Sequence, residues 1–247
     1  MVGIGLFLRN VGNVLMPRYC GVCGRRLRAG ERAVCNKCLA ELPLTQFKGK
    51  RNTPIDRLFY SQRSFVRGTA YMFYTPHASM SRPVRELKYA DRREVGLFFG
   101  ERMARDLEGS DFFGGADCLV PVPLARARLR ERGYNQAEIL ARGIARATGL
   151  RVRNDLLKRV VNNPTQTHLS QAERRTNVEG IFKVPQPERL DGLHVVLVDD
   201  VVTTGATVTE CIRTLQEANP SVKVSVAALC VATSFCELPG FMYNLEL

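Results

Sequence analysis

The chain has 247 residues, 45% of them apolar, and a net charge of +12. That size suits one α/β domain with a smaller appendage. The charge favours anionic partners (nucleic acid, phosphorylated metabolites or an acidic membrane surface), with a merely basic soluble protein as the plain alternative. No stretch is apolar for long enough to cross a bilayer, so stable membrane insertion is excluded and a cytoplasmic protein is expected.

Residues 1–8 are apolar but short, lack a basic leader and run into Arg9, which makes a poor signal peptide. Ile4, Phe7, Leu8, Val11 and Leu15 recur at helical spacing, so a short amphipathic helix is expected, packed on the protein or touching a membrane. Next come Cys20-x2-Cys23 and Cys35-x2-Cys38, eleven residues apart. Two such knuckles supply four thiolates for a tetrahedral structural Zn²⁺ with no position left open for catalysis. A redox pair and an iron–sulfur cluster are the competing readings. Arg25, Arg26, Arg28, Arg32 and Lys37 decorate this segment, and only Tyr19 is an aromatic neighbour. Phosphate contacts to DNA are therefore conceivable there, whereas base stacking has little support. The other cysteines, Cys118, Cys211, Cys230 and Cys236, sit singly in apolar runs and read as buried small hydrophobes in a reducing compartment.

Residues 54–115 hold one expected strand and an amphipathic helical stretch over 84–107. Residues 118–122 form a short buried-strand pattern ending at Pro123. An arginine-rich loop follows, with Arg126, Arg128, Arg130 and Arg132, and then a helix over 134–148 closed by Gly149. Residues 158–178 are long and polar between core strands, as lids often are. A second strand covers 194–198, a helix 207–218 and a third strand 222–231. This alternation implies a parallel sheet covered on both faces, with ligands at the carboxyl ends of its strands.

Residues 195–207 read VVLVDDVVTTGAT. A buried strand runs into Asp199 and Asp200, and then into small residues that open a helix. The backbone N–H groups of Thr203, Thr204, Gly205, Ala206 and Thr207 make a cup for a phosphate, reinforced by the helix dipole. Adjacent carboxylates would repel a bare phosphate, and are costly at a buried strand end without partners. They make sense against vicinal hydroxyls or Mg²⁺. Ribose 5-phosphate supplies the hydroxyls, and 5-phosphoribosyl-1-pyrophosphate (PRPP) supplies them and binds Mg²⁺. The structural alternative is a pair that merely caps a helix. No G-x-G-x-x-G follows a strand, which argues against a dinucleotide-binding dehydrogenase.

Residues 195–207 match the PRPP-binding signature of type I phosphoribosyltransferases without a departure. Together with VPVP at 120–123, RGYNQ at 132–136, and Gln166, Leu169, Ser170, Arg174, Asn177 and Val178 within QTHLSQAERRTNV, the chain resembles the ComF family (ComFC and GntX-like proteins) over essentially its whole length. The resemblance implies a type I phosphoribosyltransferase fold with an N-terminal helix and zinc finger over 1–50, a phosphoribosyltransferase-like domain over 51–247, and a PRPP-binding core at about 116–236. It implies that Asp199 and Asp200 hold the ribose hydroxyls and that Val202, Thr203, Thr204, Gly205, Ala206 and Thr207 hold the 5-phosphate. Leu124, Ala125 and Arg126 would face the pyrophosphate. Residues 158–178 would be the closing loop, with Arg174 as its contact, and Lys88 and Tyr89 a further candidate pair. Structural Zn²⁺ and Mg²⁺ with PRPP are the implied cofactors. The implied role is Mg-PRPP-dependent phosphoribosyl transfer linked to competence and DNA uptake, with uptake-machinery proteins as partners. The alternative is a non-catalytic protein that binds single-stranded DNA through the basic finger.

Overall fold

The computed structural model describes residues 17–75, 85–87, 92–160 and 180–233. The expected N-terminal helix, Lys88, Tyr89, the stretch holding Arg174, and Cys236 lie outside the described residues. Five parallel strands form one sheet: β1 (Phe65–Tyr74), β2 (Cys118–Pro121), β3 (Arg151–Val152), β6 (His194–Val202) and β7 (Lys223–Ala232), in the order β1-β7-β6-β2-β3. A short antiparallel hairpin pairs β4 (Lys158–Arg159) with β5 (Phe182–Lys183). Among the described residues, these α-helices accompany the strands: α1 (Asn36–Ala40), α2 (Pro54–Phe59), α3 (Arg93–Asp106), α4 (Arg126–Arg132), α5 (Gln136–Thr148) and α6 (Ala206–Ala218).

The sheet is apolar on both faces because both are covered. On β6, Val196 and Val198 join the core beneath α3 and α5, while Val195 and Leu197 join the core beneath α2 and α6. Local chemistry sets the helix ends. The Asn135 carboxamide caps α5 by accepting from the Ala137 N–H, and its Nδ2 donates to the Val122 carbonyl, tying the helix start to the chain just past β2. Gly149 closes α5 in the left-handed region, as its sequence position predicts. Thr53 and Asp56 form a buried capping box for α2, and the other Asp56 oxygen accepts from Gly68 N–H on β1.

The exposed edge of β1 is partly covered. Thr45 N–H donates to the Tyr71 carbonyl and Phe73 N–H to the Pro43 carbonyl, so the segment leaving the cysteine region blunts that edge. The cysteine region is not a loose appendage. Cys20, Val22, Val34, Cys35 and Leu42 belong to the same core as Phe98, Phe99 and Leu140.

The α3–α5 contact depends on missing side chains. A Cβ on Gly100 would sit 2.2 Å from the Leu140 carbonyl oxygen, and one on Gly143 would sit 2.4 Å from that of Leu97. Gly100→Ala is expected to destabilise the protein by about 1–3 kcal/mol or more, because backbone rather than a mobile side chain must yield. Urea unfolding followed by circular dichroism checks this, and an unchanged midpoint would contradict it.

Candidate functional site

β6 continues past the expected end at Val198 and carries both acids in register beside β7, Asp199 lying opposite Ala228. Alternation along a strand then sends the two acids to opposite faces. Asp199 lines a recess of about 30 Å³ with Thr203, Thr204, Gly205 and Thr207 at the start of α6. Asp200, 9% exposed, turns toward α5, where Gln136 Nε2 donates to its Oδ2 at 3.4 Å. Backbone N–H groups brace both: Asp200 N–H donates to Asp199 Oδ1 and Val201 N–H to Asp200 Oδ1. The acids thus straddle the strand tip.

The loop after them opens α6 as its composition predicts. Gly205 is the N-cap with φ +74°, and no side-chain oxygen caps the helix. Thr204 Oγ1 accepts weakly from Ala206 N–H at 3.4 Å, while the N–H groups of Thr207 and Val208 have no partner among the described residues. An anion fits such a helix start. Phe59 supports the loop from below, and a Cβ on Gly205 would lie 3.2 Å from its ring. Val202 is buried at the end of β6 and shapes the loop from the inside.

Both acids line a cavity of about 160 Å³ with Arg128, Arg132, Arg159 and Gln136. The arginine run after β2, expected as a loop, is the helix α4, with no buried residue. Arg128 and Arg132 stand four apart on one face of it and meet Arg159 from the β4–β5 hairpin. Burial, and then the charge of Arg128, lower the Arg159 pKa. The two guanidiniums therefore repel across the cavity, an arrangement that a polyanion would relieve. Leu124 lines this cavity, Ala125 is the buried N-cap of α4, and Arg126 faces the adjoining cavity of about 650 Å³ with Lys158, Arg159 and Lys183. The structure thus brings Asp199, Asp200, Thr207 and Leu124 together and adds two residues the sequence reading gave no place at the strand tip, Arg159 and Gln136. The Asn-Gln pair inside RGYNQ was the available signal for Gln136. Its Oε1 is buried without a hydrogen-bond partner beside Asp200.

The four finger cysteines also come together. Their sulfurs lie within 4.8 Å of one another, and Cys23 Sγ is 3.9 Å from Cys35 Sγ. Four sulfurs at about 2.3 Å from a tetrahedral Zn²⁺ would be about 3.8 Å apart, so the cluster is compatible with structural zinc. The N–H groups of Val22 and Cys35 donate to Cys20 Sγ, and that of Cys38 to Cys35 Sγ. Burial opposes ionisation of Cys35, but the Cys38 N–H, the Cys38 and Cys20 side chains and Arg25 bring its pKa down to about 7. Glu31 organises the loop between the knuckles, accepting from the N–H groups of Arg28 and Asn36 and from Arg25. These bonds, led by the Arg28 N–H, hold its pKa at about 2. Cys118, Cys211 and Cys230 are buried as expected, and burial raises the Cys118 thiol to about 11.

Comparison with known proteins places this geometry. The family model described as "Phosphoribosyl transferase domain" matches residues 96–235. The "DNA utilization protein YhgH" of Salmonella typhi is 32% identical over 214 residues, covering 85% of this chain and 89% of that one. The "Competence protein ComFC" of Bacillus subtilis is 36% identical over 210 residues, covering 83% of this chain and 75% of its own. Among solved structures, glutamine PRPP amidotransferase from B. subtilis is 21% identical with a TM-score of 0.36, covering 57% of this chain and 30% of that one. No helix among the described residues is long and apolar enough to cross a membrane. With a four-cysteine cluster beside a parallel sheet that carries the phosphoribosyltransferase match, the chain belongs to the ComF family of proteins with a type I phosphoribosyltransferase fold.

Proposed function

We propose that the chain binds Mg²⁺–PRPP at the tip of β6, transfers its ribose 5-phosphate to an acceptor, and serves DNA uptake or use. One observation carries the reading: Asp199 and Asp200 line a single cavity with Arg128, Arg132 and Arg159, beside the open helix start at residues 203–207. The carboxylates accept hydrogen bonds from the ribose 2- and 3-hydroxyls. The first-turn N–H groups of α6 and the hydroxyls of Thr203, Thr204 and Thr207 hold the 5-phosphate, with Val202, Gly205 and Ala206 shaping the cup. Leu124, Ala125 and Arg126 flank the pyrophosphate, and Arg128 and Arg159 supply positive charge to it. The oxygen-only donors of Asp199 and Asp200 suit Mg²⁺ carried in with PRPP, and an ion held there would supply positive charge to the leaving pyrophosphate. As the C1–oxygen bond breaks, its electron pair leaves with the pyrophosphate and the acceptor's lone pair forms the new bond at C1. The cations stabilise the charge gathering on the leaving group while the acids fix the sugar. Arg174, outside the described residues, is a further candidate contact to PRPP.

The relatives named for competence and for DNA utilization support the link to DNA. A second reading, single-stranded DNA on the basic finger, rests on Arg26, Arg28 and Lys37, which are exposed. Arg25 and Arg32 are engaged with Glu31 and Glu101, which narrows that footprint. Structural zinc held by Cys20, Cys23, Cys35 and Cys38 orders the finger.

Asp199→Asn with Asp200→Asn is expected to weaken PRPP–Mg²⁺ binding by about a hundredfold or more, given hydrogen bonds to charged groups. Isothermal titration measures this, and wild-type affinity in the folded double variant would refute the site. DNA binding under the second reading must weaken steeply with salt in anisotropy titrations; a flat response excludes phosphate contacts. Cys35→Ser should lose the metal and lower the melting temperature of the whole chain in one transition, because the finger shares its core. Metal analysis with calorimetry checks this, and metal loss with the main transition unshifted would speak against it.

A further inference from the structure

A second pocket, of about 280 Å³, opens at the opposite end of the sheet, where β1, β6 and β7 begin. It lies about 20 Å along β6 from Asp200, counting six residues at strand rise. Arg67, the third residue of β1, lines it and is only 6% exposed. A guanidinium carries five N–H donors, and burial makes each unmet donor costly. Arg67 meets few of them. One Nη lies 3.4 Å from Asp111, whose side chain is 88% exposed, and the guanidinium sits 5.2 Å from the centre of the Phe112 ring. Its Nε is buried with no hydrogen-bond partner.

Two further cations face the same pocket. Arg51 donates from Nη1 to the Val66 carbonyl, and the Lys223 ammonium makes no hydrogen bond or ion pair among the described residues. Of the two carboxylates present, Asp111 is the exposed one just described. Asp117 spends Oδ2 on the His194 N–H at 2.7 Å. His194 adds no charge near neutral pH. Its Nδ1–H donates to the Gly115 carbonyl, its Nε2 accepts from the buried Ser225 hydroxyl, and burial lowers its pKa. Burial and the neighbouring Arg51 likewise lower the Arg67 pKa, despite Asp111 and Asp56. Positive charge is therefore under-compensated around a concave space.

We propose that this pocket is a second anion site, in which Arg67, Arg51 and Lys223 bind a small phosphate monoester independently of residues 199–207. The guanidinium fork of Arg67 suits a phosphate oxygen pair, and a dianion would satisfy its Nε while relieving the repulsion from Arg51. The volume sits just under the range of about 300–1,000 Å³ of ordinary small-molecule sites, which selects a compact ligand.

The test uses inorganic phosphate as the probe on the full ¹⁵N-labelled chain, reading the Arg67 Nε–H resonance, assigned by its disappearance in Arg67→Lys. A saturable shift in the millimolar range is expected, unchanged in the Asp199→Asn/Asp200→Asn variant. Lys223→Met, an exposed change that leaves the core intact, should weaken the midpoint about tenfold. No saturable shift, or an unaltered midpoint in Lys223→Met, overturns the proposal. Displacement of phosphate by an equimolar oligothymidylate would assign the pocket to a nucleic-acid backbone and overturn the small-ligand reading. PRPP titration of the same samples reports the other site separately, so failure here is distinguishable from failure there.

Discussion

The central constraint is β6. It is hydrogen-bonded on one side to β7 and on the other to β2, and its first five residues are buried on both faces. No charge is tolerable along such a strand until it approaches the surface. When two acids then appear at adjacent positions, pleating forces them apart, one toward α6 and one toward α5. Each face must therefore supply its own compensation. On the α6 face that is a helix start; on the α5 face it is Gln136 and the guanidiniums around the cavity. A single sheet strand thus brings two acids, an open helix start and cations to one point.

The cysteine region is fixed to this frame from outside. Glu101 on α3 is 8% exposed and meets Arg32 of the finger and Arg146 of α5. The hydrogen bonds from Arg32, with the charges around them, hold its pKa below the usual carboxylate range. Beside it, Gly21 packs against Val95 so closely that a Cβ would sit 2.8 Å from a Val95 methyl. The finger therefore braces α3, α3 packs on α5 through Gly100 and Gly143, and α5 carries Gln136 to Asp200. Ordering of the finger and geometry at the acids are connected through one continuous core.

Much of this was legible in the sequence. The aliphatic run at 195–198 and the largely apolar run at 222–231 announce strands buried on both faces, Gly149 announces a helix end, and paired Cys-x2-Cys knuckles announce a tetrahedral cluster. These signals are local, because each depends on residues a few positions apart. What was not legible is long-range. The strand extends through Asp199 to Val202 because β7 offers a matching ladder there, which no local pattern encodes. The arginine run forms α4 because alternate arginines carry helical propensity as readily as loop character, and Gly133 ends it in the left-handed region. Arg159 reads as one basic residue in a polar stretch. Only pairing of Lys158 with Lys183 and of Arg159 with Phe182 turns it toward the acids.

The same contrast explains how the net charge is arranged. Cations on the finger are partly consumed by Glu31 and Glu101, so they build structure there. Cations at the two ends of the sheet are used differently. At the carboxyl end, Arg128 and Arg159 face each other across a cavity with carboxylates opposite. At the amino end, Arg67 is buried with an exposed carboxylate as its only ion-pair partner among the described residues. Holding like charges together in a concave space is unfavourable for the empty protein and favourable once an anion enters. A basic chain that gathers part of its positive charge in recesses, and neutralises much of the rest where helices and finger pack, holds its positive potential at defined places and does not merely spread it over its surface.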